Sequence, residues 1–315
     1  MKARLVRAGV LLTTAGVLLT ACGGSAPAGV PGIPAADLPA VSGGLGVDPV
    51  ITMPNGNPPG RLVVQTLIPG GGPVVGASDY VMFDVEGKVW AGDREIVDSF
   101  TDHQPQGLPL AVPTIPAFRH LAGERVGSQV LMVVPPADGF GSAGDSEADV
   151  TAGDTLVFVF DILATMPTNA SASGTPVPYA PGRDLPAVRM TPAGPVITVP
   201  HGVKAPGNLV TRLLARGSGP PIVSGNTVVV QYTGVVWRTG KVFDSSWQRK
   251  FPEAFQLGAG QVIPGWEQGL GGMPVGSRVL LIIPPGLGYG QSGYPPDVTA
   301  TDTLVYVVDI VTAIR

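Results

Sequence analysis

Five residues, Asp37-Leu38-Pro39-Ala40-Val41, return 147 positions later (184 − 37) as Asp184-Leu185-Pro186-Ala187-Val188. Pro49-Val50-Ile51-Thr52 returns as Pro195-Val196-Ile197-Thr198 at nearly the same offset, and later segments keep step with small slips. Val130-Leu131-Met132-Val133-Val134-Pro135-Pro136 answers Val279-Leu280-Leu281-Ile282-Ile283-Pro284-Pro285, and Thr155 to Ile162 answers Thr303 to Ile310. Solenoid and propeller repeats have periods of roughly 20–50 residues. A period this much longer repeats a whole domain, so one fold is expected twice, over residues 37–166 and 184–315. Between them, 167–183 is rich in Pro, Ser, Ala and Gly, a composition expected of a linker and one that argues against a fixed geometry between the copies.

Each copy reads as mostly strand. Thr227 to Thr233, Arg278 to Ile283 and Thr303 to Ile310 are runs of Val, Ile, Leu and Tyr set between Gly and Pro punctuation, the signal of buried strands. The best helical stretch begins near Gly265, where Trp266, Leu270 and Met273 fall at i, i+4 and i+7 and would bury one face. Pro264 suits a helix start, while Gly269, Gly271 and Gly272 limit it to about two turns. The expected class is α+β, a twisted antiparallel sheet with one short helix across it.

The N-terminus carries a separate signal. Lys2, Arg4 and Arg7 precede an uncharged stretch from Ala8 to Ala21, an n-region and an h-region too short for a span of about 20 apolar residues. It closes on Leu19-Thr20-Ala21-Cys22-Gly23-Gly24, which resembles the lipobox of bacterial lipoproteins. That resemblance implies removal of residues 1–21, a diacylglycerol on Cys22, and a protein exported to the outer face of the cytoplasmic membrane. Residues 22–36 would then be a flexible tether. Cys22 is the only cysteine, so no internal disulfide is available. Cleavage removes three of 19 basic residues, leaving 16 against 23 acids, a balance of −7. Such a surface has no electrostatic reason to bind nucleic acid.

Ordinary catalytic signatures are missing. The three histidines, His103, His120 and His201, avoid the strand core of the second copy. No His/Cys/Asp/Glu spacing resembles a metal site, and no Gly-rich turn suggests a nucleotide or other cofactor. Segments such as Gly217-Ser218-Gly219 read as turns rather than nucleophile elbows.

What the second copy offers is a set of aromatic and aliphatic motifs interleaved with one acid. Val229-Val230-Gln231-Tyr232-Thr233-Gly234, Gly240-Lys241-Val242-Phe243-Asp244-Ser245-Ser246, Phe255-Gln256-Leu257-Gly258, Gln261-Val262-Ile263-Pro264-Gly265-Trp266-Glu267-Gln268-Gly269-Leu270, Gly288-Tyr289-Gly290 and Leu304-Val305-Tyr306-Val307-Val308-Asp309 occur in this order over 209–315. Together they resemble the FK506-binding protein class of peptidyl-prolyl cis-trans isomerases. The resemblance implies a half-barrel sheet wrapped on one short helix in each copy, with an apolar pocket between them. Trp266 resembles the pocket floor; Tyr232, Phe243, Val262, Ile263 and Phe255 resemble its walls, and Tyr306 the aromatic of the last strand. Asp244 and Tyr289 resemble a polar pair at the rim, and Val298 an aliphatic in the loop above. Two positions depart from the family pattern. Glu253 stands where Phe is common, and the loop reads Val298-Thr299-Ala300 in place of an Ile-Pro-Pro run; neither is expected to touch the pocket floor. Implied partners are proline-containing segments of exported proteins, and macrolides of the FK506 type.

In the first copy, aligning Gly87 with Gly234 puts Val85 at Tyr232, Val97-Asp98-Ser99 at Phe243-Asp244-Ser245, Ile115 at Ile263, Phe118 at Trp266 and Phe140 at Tyr289. On this reading the acid survives while both tyrosine hydroxyls are lost, and the first copy is expected to be a weak or inactive site. Two functions stay open: a surface-anchored prolyl isomerase that helps exported proteins fold, and a non-catalytic, membrane-anchored peptide-binding or chaperone protein.

Overall fold

The computed structural model describes residues 31–315, so the expected signal peptide, Cys22 and the first part of the expected tether lie outside the described residues. The last part of the expected tether is packed. Arg61 donates to the Pro31 carbonyl at 2.5 Å, and Ile33 lies against a cluster that includes Leu38, Ile51, Val63 and Trp90.

The first copy opens with a hairpin, β1 (Ala40–Ser42) and β2 (Val50–Thr52). Then follow β3 (Val63–Ile68), β4 (Asp79–Val89), β5 (Arg94–Asp98), a one-turn α1 (Ser99–Asp102), β6 (Gln106–Pro109), β7 (Gln129–Val134) and β8 (Leu156–Pro167). The second copy follows the two-residue β9 (Thr175–Pro176) and repeats the plan. It has a hairpin β10 (Ala187–Thr191) and β11 (Gly194–Thr198), then β12 (Val210–Arg216), β13 (Thr227–Val236), β14 (Val242–Ser245) and a one-turn α2 (Ser246–Arg249). It closes with β15 (Glu253–Gln256), α3 (Pro264–Leu270), β16 (Arg278–Ile283) and β17 (Leu304–Ile314).

The sheets share one antiparallel topology. The first runs β3-β7-β8-β4-β5 with β6 also on β4; the second runs β9-β12-β16-β17-β13-β14 with β15 also on β13. Two tandem α+β domains of the same fold are thus present, as the repeat requires. The helix across the second sheet is α3, with Trp266 and Leu270 buried; its counterpart in the first copy is the tighter 3-10 turn Pro116–Leu121. Pro occupies the first helical position in both, where its missing N–H costs nothing.

β13 is buried along its whole length, which explains its run of Val in place of a polar alternation. Val228, Val230 and Tyr232 face the core under α3, Val235 faces a layer that includes Ile197 of β11 and Leu185, and Val229 faces the first copy. The segment 167–183 is built onto the second sheet. Gln231 Nε2 donates to the Thr168 carbonyl at 2.7 Å, Ala172 N–H to Asp309 Oδ2 at 3.0 Å and Gly174 N–H to the Gly276 carbonyl at 2.9 Å. β9 then pairs with the edge of β12. Its composition argued against a fixed geometry between the copies; backbone hydrogen bonds overrule that, because Gly174 passes so close to β12 that a Cβ there would sit 2.3 Å from the Arg216 carbonyl oxygen. No helix among the described residues is long and apolar enough to cross a membrane.

Candidate active site

Four elements of the second copy meet around one open cavity of about 1100 Å³. β13 carries Tyr232, the end of β14 carries Asp244, the start of α3 carries Trp266, and β17 carries Tyr306. Trp266 meets three rings edge-on: Tyr232 at 5.0 Å between centroids, Tyr306 at 5.2 Å and Phe255 at 5.6 Å. Such edge-to-face contacts contribute about 0.5–1.5 kcal/mol each beyond area burial, and they hold the walls upright. The Trp266 indole N–H is buried without a hydrogen-bond acceptor among the described residues.

Of the residues singled out from the sequence, Tyr232, Asp244, Phe255, Val262, Ile263, Trp266, Tyr289 and Tyr306 all line this cavity. Phe243 stands one ring back, packed edge-on against Tyr306 at 5.6 Å and Tyr289 at 6.4 Å. Val298 is buried beneath the loop, where it exchanges backbone hydrogen bonds with Tyr294.

The polar rim is larger than the sequence indicated. The Tyr232 hydroxyl lies 2.5 Å from Asp244 Oδ2 and 3.0 Å from Glu253 Oε2. Arg249 donates to Tyr232 Oη at 2.8 Å and to Glu253 at 2.6 Å, and it forms an ion pair with Asp244. Glu253, expected to stand clear of the floor, therefore touches the Tyr232 that walls it. Burial, then the charges of Glu253 and Asp244, hold the Tyr232 hydroxyl far above its ordinary value. It stays protonated and neutral across the physiological range. Desolvation of Arg249 is outweighed by its contacts with Tyr232 and Asp244, which leave it firmly cationic. Arg249 was missed; its signal is a cation five residues after Asp244, one helical turn beyond the strand end. Tyr294 also lines the cavity, stacked on Tyr289 at 5.1 Å.

The first copy corrects the alignment. Ser99 Oγ accepts from Val85 N–H and bonds to Asp84; Ser246 Oγ accepts from Tyr232 N–H and bonds to Gln231. Ser99 is therefore the counterpart of Ser246, not of Ser245. The register agrees: Gly87 pairs with Val97 and Glu86 with Asp98, as Gly234 pairs with Asp244 and Thr233 with Ser245. The residue in place of Asp244 is Val97, so the acid does not survive. A one-residue slip moves a strand side chain to the opposite face, and Asp98 faces away from the pocket.

On that outer face the Thr233–Ser245 hydroxyl pair, 3.0 Å apart, is replaced by Glu86 and Asp98. With Asp48 they place carboxylate oxygens within 4.8 Å of one another, a grouping of the kind that could hold a cation. No sequence spacing pointed to it, because three separate segments supply the ligands. Lys88 Nζ, 3.7 Å from Glu86, already supplies a positive charge there. The pocket side of the first copy is filled with rings, Phe118 meeting Phe158 and Phe160 edge-on at 5.0 Å each.

Comparisons with known proteins show which family the chain resembles. A family model described as FKBP-type peptidyl-prolyl cis-trans isomerase matches residues 72–163 and again residues 219–311. The chain is 47% identical over 118 residues to an FK506-binding protein of Streptomyces anulatus, covering 37% of this chain and 94% of that protein. It is 49% identical over 87 residues to FK506-binding protein 2B of Rhizopus delemar, covering 28% of this chain and 42% of that one. Against peptidyl-prolyl cis-trans isomerase FPR2 of Saccharomyces cerevisiae it is 47% identical over 87 residues, covering 28% and 64%. The matches thus span less than two thirds of the two fungal relatives.

Proposed function

The chain belongs to the FKBP-type peptidyl-prolyl cis-trans isomerase family, whose model covers it twice, and on that premise we propose that the second copy isomerises X–Pro bonds while the first does not. The observation that carries the reading is the ring-walled cavity over Trp266 with a neutral phenol at its edge, held by Asp244, Arg249 and Glu253. The first copy has Val85 and Val97 in place of Tyr232 and Asp244.

The chemistry needs no nucleophile. An X–Pro bond has an appreciable cis population and interconverts unaided over tens to hundreds of seconds. Amide resonance puts negative charge on the carbonyl oxygen, and twisting the bond removes that conjugation. A dry apolar well favours the less polar twisted amide, so it binds the transition state better than the planar ground state. Phe255, Val262 and Trp266 grip the proline ring by apolar burial. By the resemblance to the family, the Ile263 backbone N–H and the Tyr289 hydroxyl would donate to substrate carbonyls. The ion-paired rim orients Tyr232 rather than reacting.

The same equipment suits a macrolide of the FK506 type, which would compete with substrate. Cys22, with the Leu19-to-Gly24 motif around it, supports lipid anchoring on the outer face of the cytoplasmic membrane, and exported proteins as substrates. The test is acceleration of cis–trans exchange in a short proline peptide. Tyr232→Phe combined with Asp244→Ala is expected to lower kcat/KM by about tenfold or more. No acceleration by the folded wild-type protein overturns the reading and leaves a tethered binding protein.

A further inference from the structure

The cavity over Trp266 is not built by the second copy alone. Its far wall is a strip of the first copy, Gln104 to Gly107 with Tyr80 behind it, about 150 residues away in sequence. Two observations make that wall a fixed part of the molecule. Tyr80 and Met82 of β4 and Met166 of β8 pack on Val229, with Phe251, Ala254, Val311 and Ile314 around them. The strip is also hydrogen-bonded across the junction: Gln256 Nε2 donates to the His103 carbonyl at 2.9 Å, and Gln261 Nε2 donates to Gln104 Oε1 at 2.7 Å. Gln261 immediately precedes Val262 and Ile263, so the first copy holds the segment that lines the pocket.

We propose that the first copy serves as the distal half of the substrate groove, so that the protein takes extended proline-containing polypeptide and reads residues flanking the proline against the Gln104–Gly107 strip. This rests on the isomerase reading for the centre of the groove and adds the substrate class. At about 1100 Å³ the cavity exceeds the roughly 300–1,000 Å³ typical of small-molecule pockets, more than one prolyl ring and its carbonyl neighbours need. The strip is uncharged: two carboxamides, one proline and the bare backbone of Gly107. Such a surface bonds to peptide backbone and tolerates varied side chains. Gly107 keeps it low, since a Cβ there would lie 2.5 Å from the Tyr80 hydroxyl. β6 and β15 lie against one another where the copies meet, so the strip and the second copy's rim form one continuous surface.

The test measures length dependence in the full chain. Fluorescence anisotropy compares labelled peptides of about four and about twelve residues, each with one central proline; the longer spans about 40 Å when extended. The wild type is expected to bind the longer peptide about tenfold more tightly. Gln106 is exposed, so Gln106→Trp fills the groove mouth without entering the core, and it is expected to abolish the gain with length. Gln104→Ala with Gln106→Ala is expected to reduce that gain without added bulk. A wild type that binds both lengths equally, or a Gln106→Trp protein that keeps the full gain, overturns the proposal. Isomerisation rates on the short peptide distinguish the two readings. A length gain without acceleration keeps the groove and removes the enzyme; acceleration without a length gain does the reverse.

Discussion

Two carboxylates one residue apart in the alignment, Asp98 and Asp244, have opposite fates. Asp244 meets a phenol and a guanidinium at the pocket rim. Asp98 caps α1 by accepting from Phe100 and Thr101 N–H, and it faces Glu86 across the strand pair. Like charges directly opposite one another are unfavourable. Burial, reinforced by Glu95 and Asp98 and partly offset by Lys88, pushes the Glu86 carboxyl from 4.5 up to about 8. A carboxyl whose folded value is raised favours the folded state while it is protonated. Its contribution is present below the unfolded value and is lost as pH rises through the folded one. Thermal unfolding is therefore expected to shift to lower temperature as pH goes from about 5 to about 8. Glu86→Gln, which keeps the amide's hydrogen-bonding capacity without the charge, is expected to flatten that slope; an unchanged slope would assign the effect to other groups.

At the scale of elements, β4 and β13 carry a glycine at the same register, Gly87 and Gly234. A Cβ on Gly234 would stand 2.7 Å from Tyr306 and 3.0 Å from Phe243, while one on Gly87 would stand 2.6 Å from Val97 and 2.7 Å from Phe158. Overpacking of this kind costs about 1–3 kcal/mol. Gly234→Ala is expected to lower both stability and turnover, because Tyr306 walls the cavity. Gly87→Ala is expected to lower stability by a similar amount and leave turnover unchanged; equal losses of activity would give the first copy a catalytic share. The helix across each sheet differs as well. Trp266 on a true α-turn presents its indole as a floor, whereas the 3-10 turn of the first copy carries Phe118 into a ring cluster. A pocket and a filled core are alternative uses of one position.

At the scale of the whole molecule, the segment between the copies acts as an extra edge strand and the second copy's groove borrows a wall from the first. On the anchored reading, the first copy also lies between the groove and Cys22 in the chain, and the groove would be carried outward from the membrane surface. Cys22→Ser is expected to move the protein from the membrane fraction to the soluble one with isomerase activity retained; retention in the membrane fraction would remove the lipid. The sequence by itself determined the doubled α+β fold and the residues gathered over Trp266, because period, strand pattern and motif order are written along the chain. It also marked Glu253 as unusual. Only the tertiary structure decided that Glu253 and Arg249 join the rim, that Val97 takes the place of Asp244, and that Gln104 to Gly107 face Trp266. Pairing register and contacts across some 150 residues depend on which faces pack together, and neither leaves a local pattern to read.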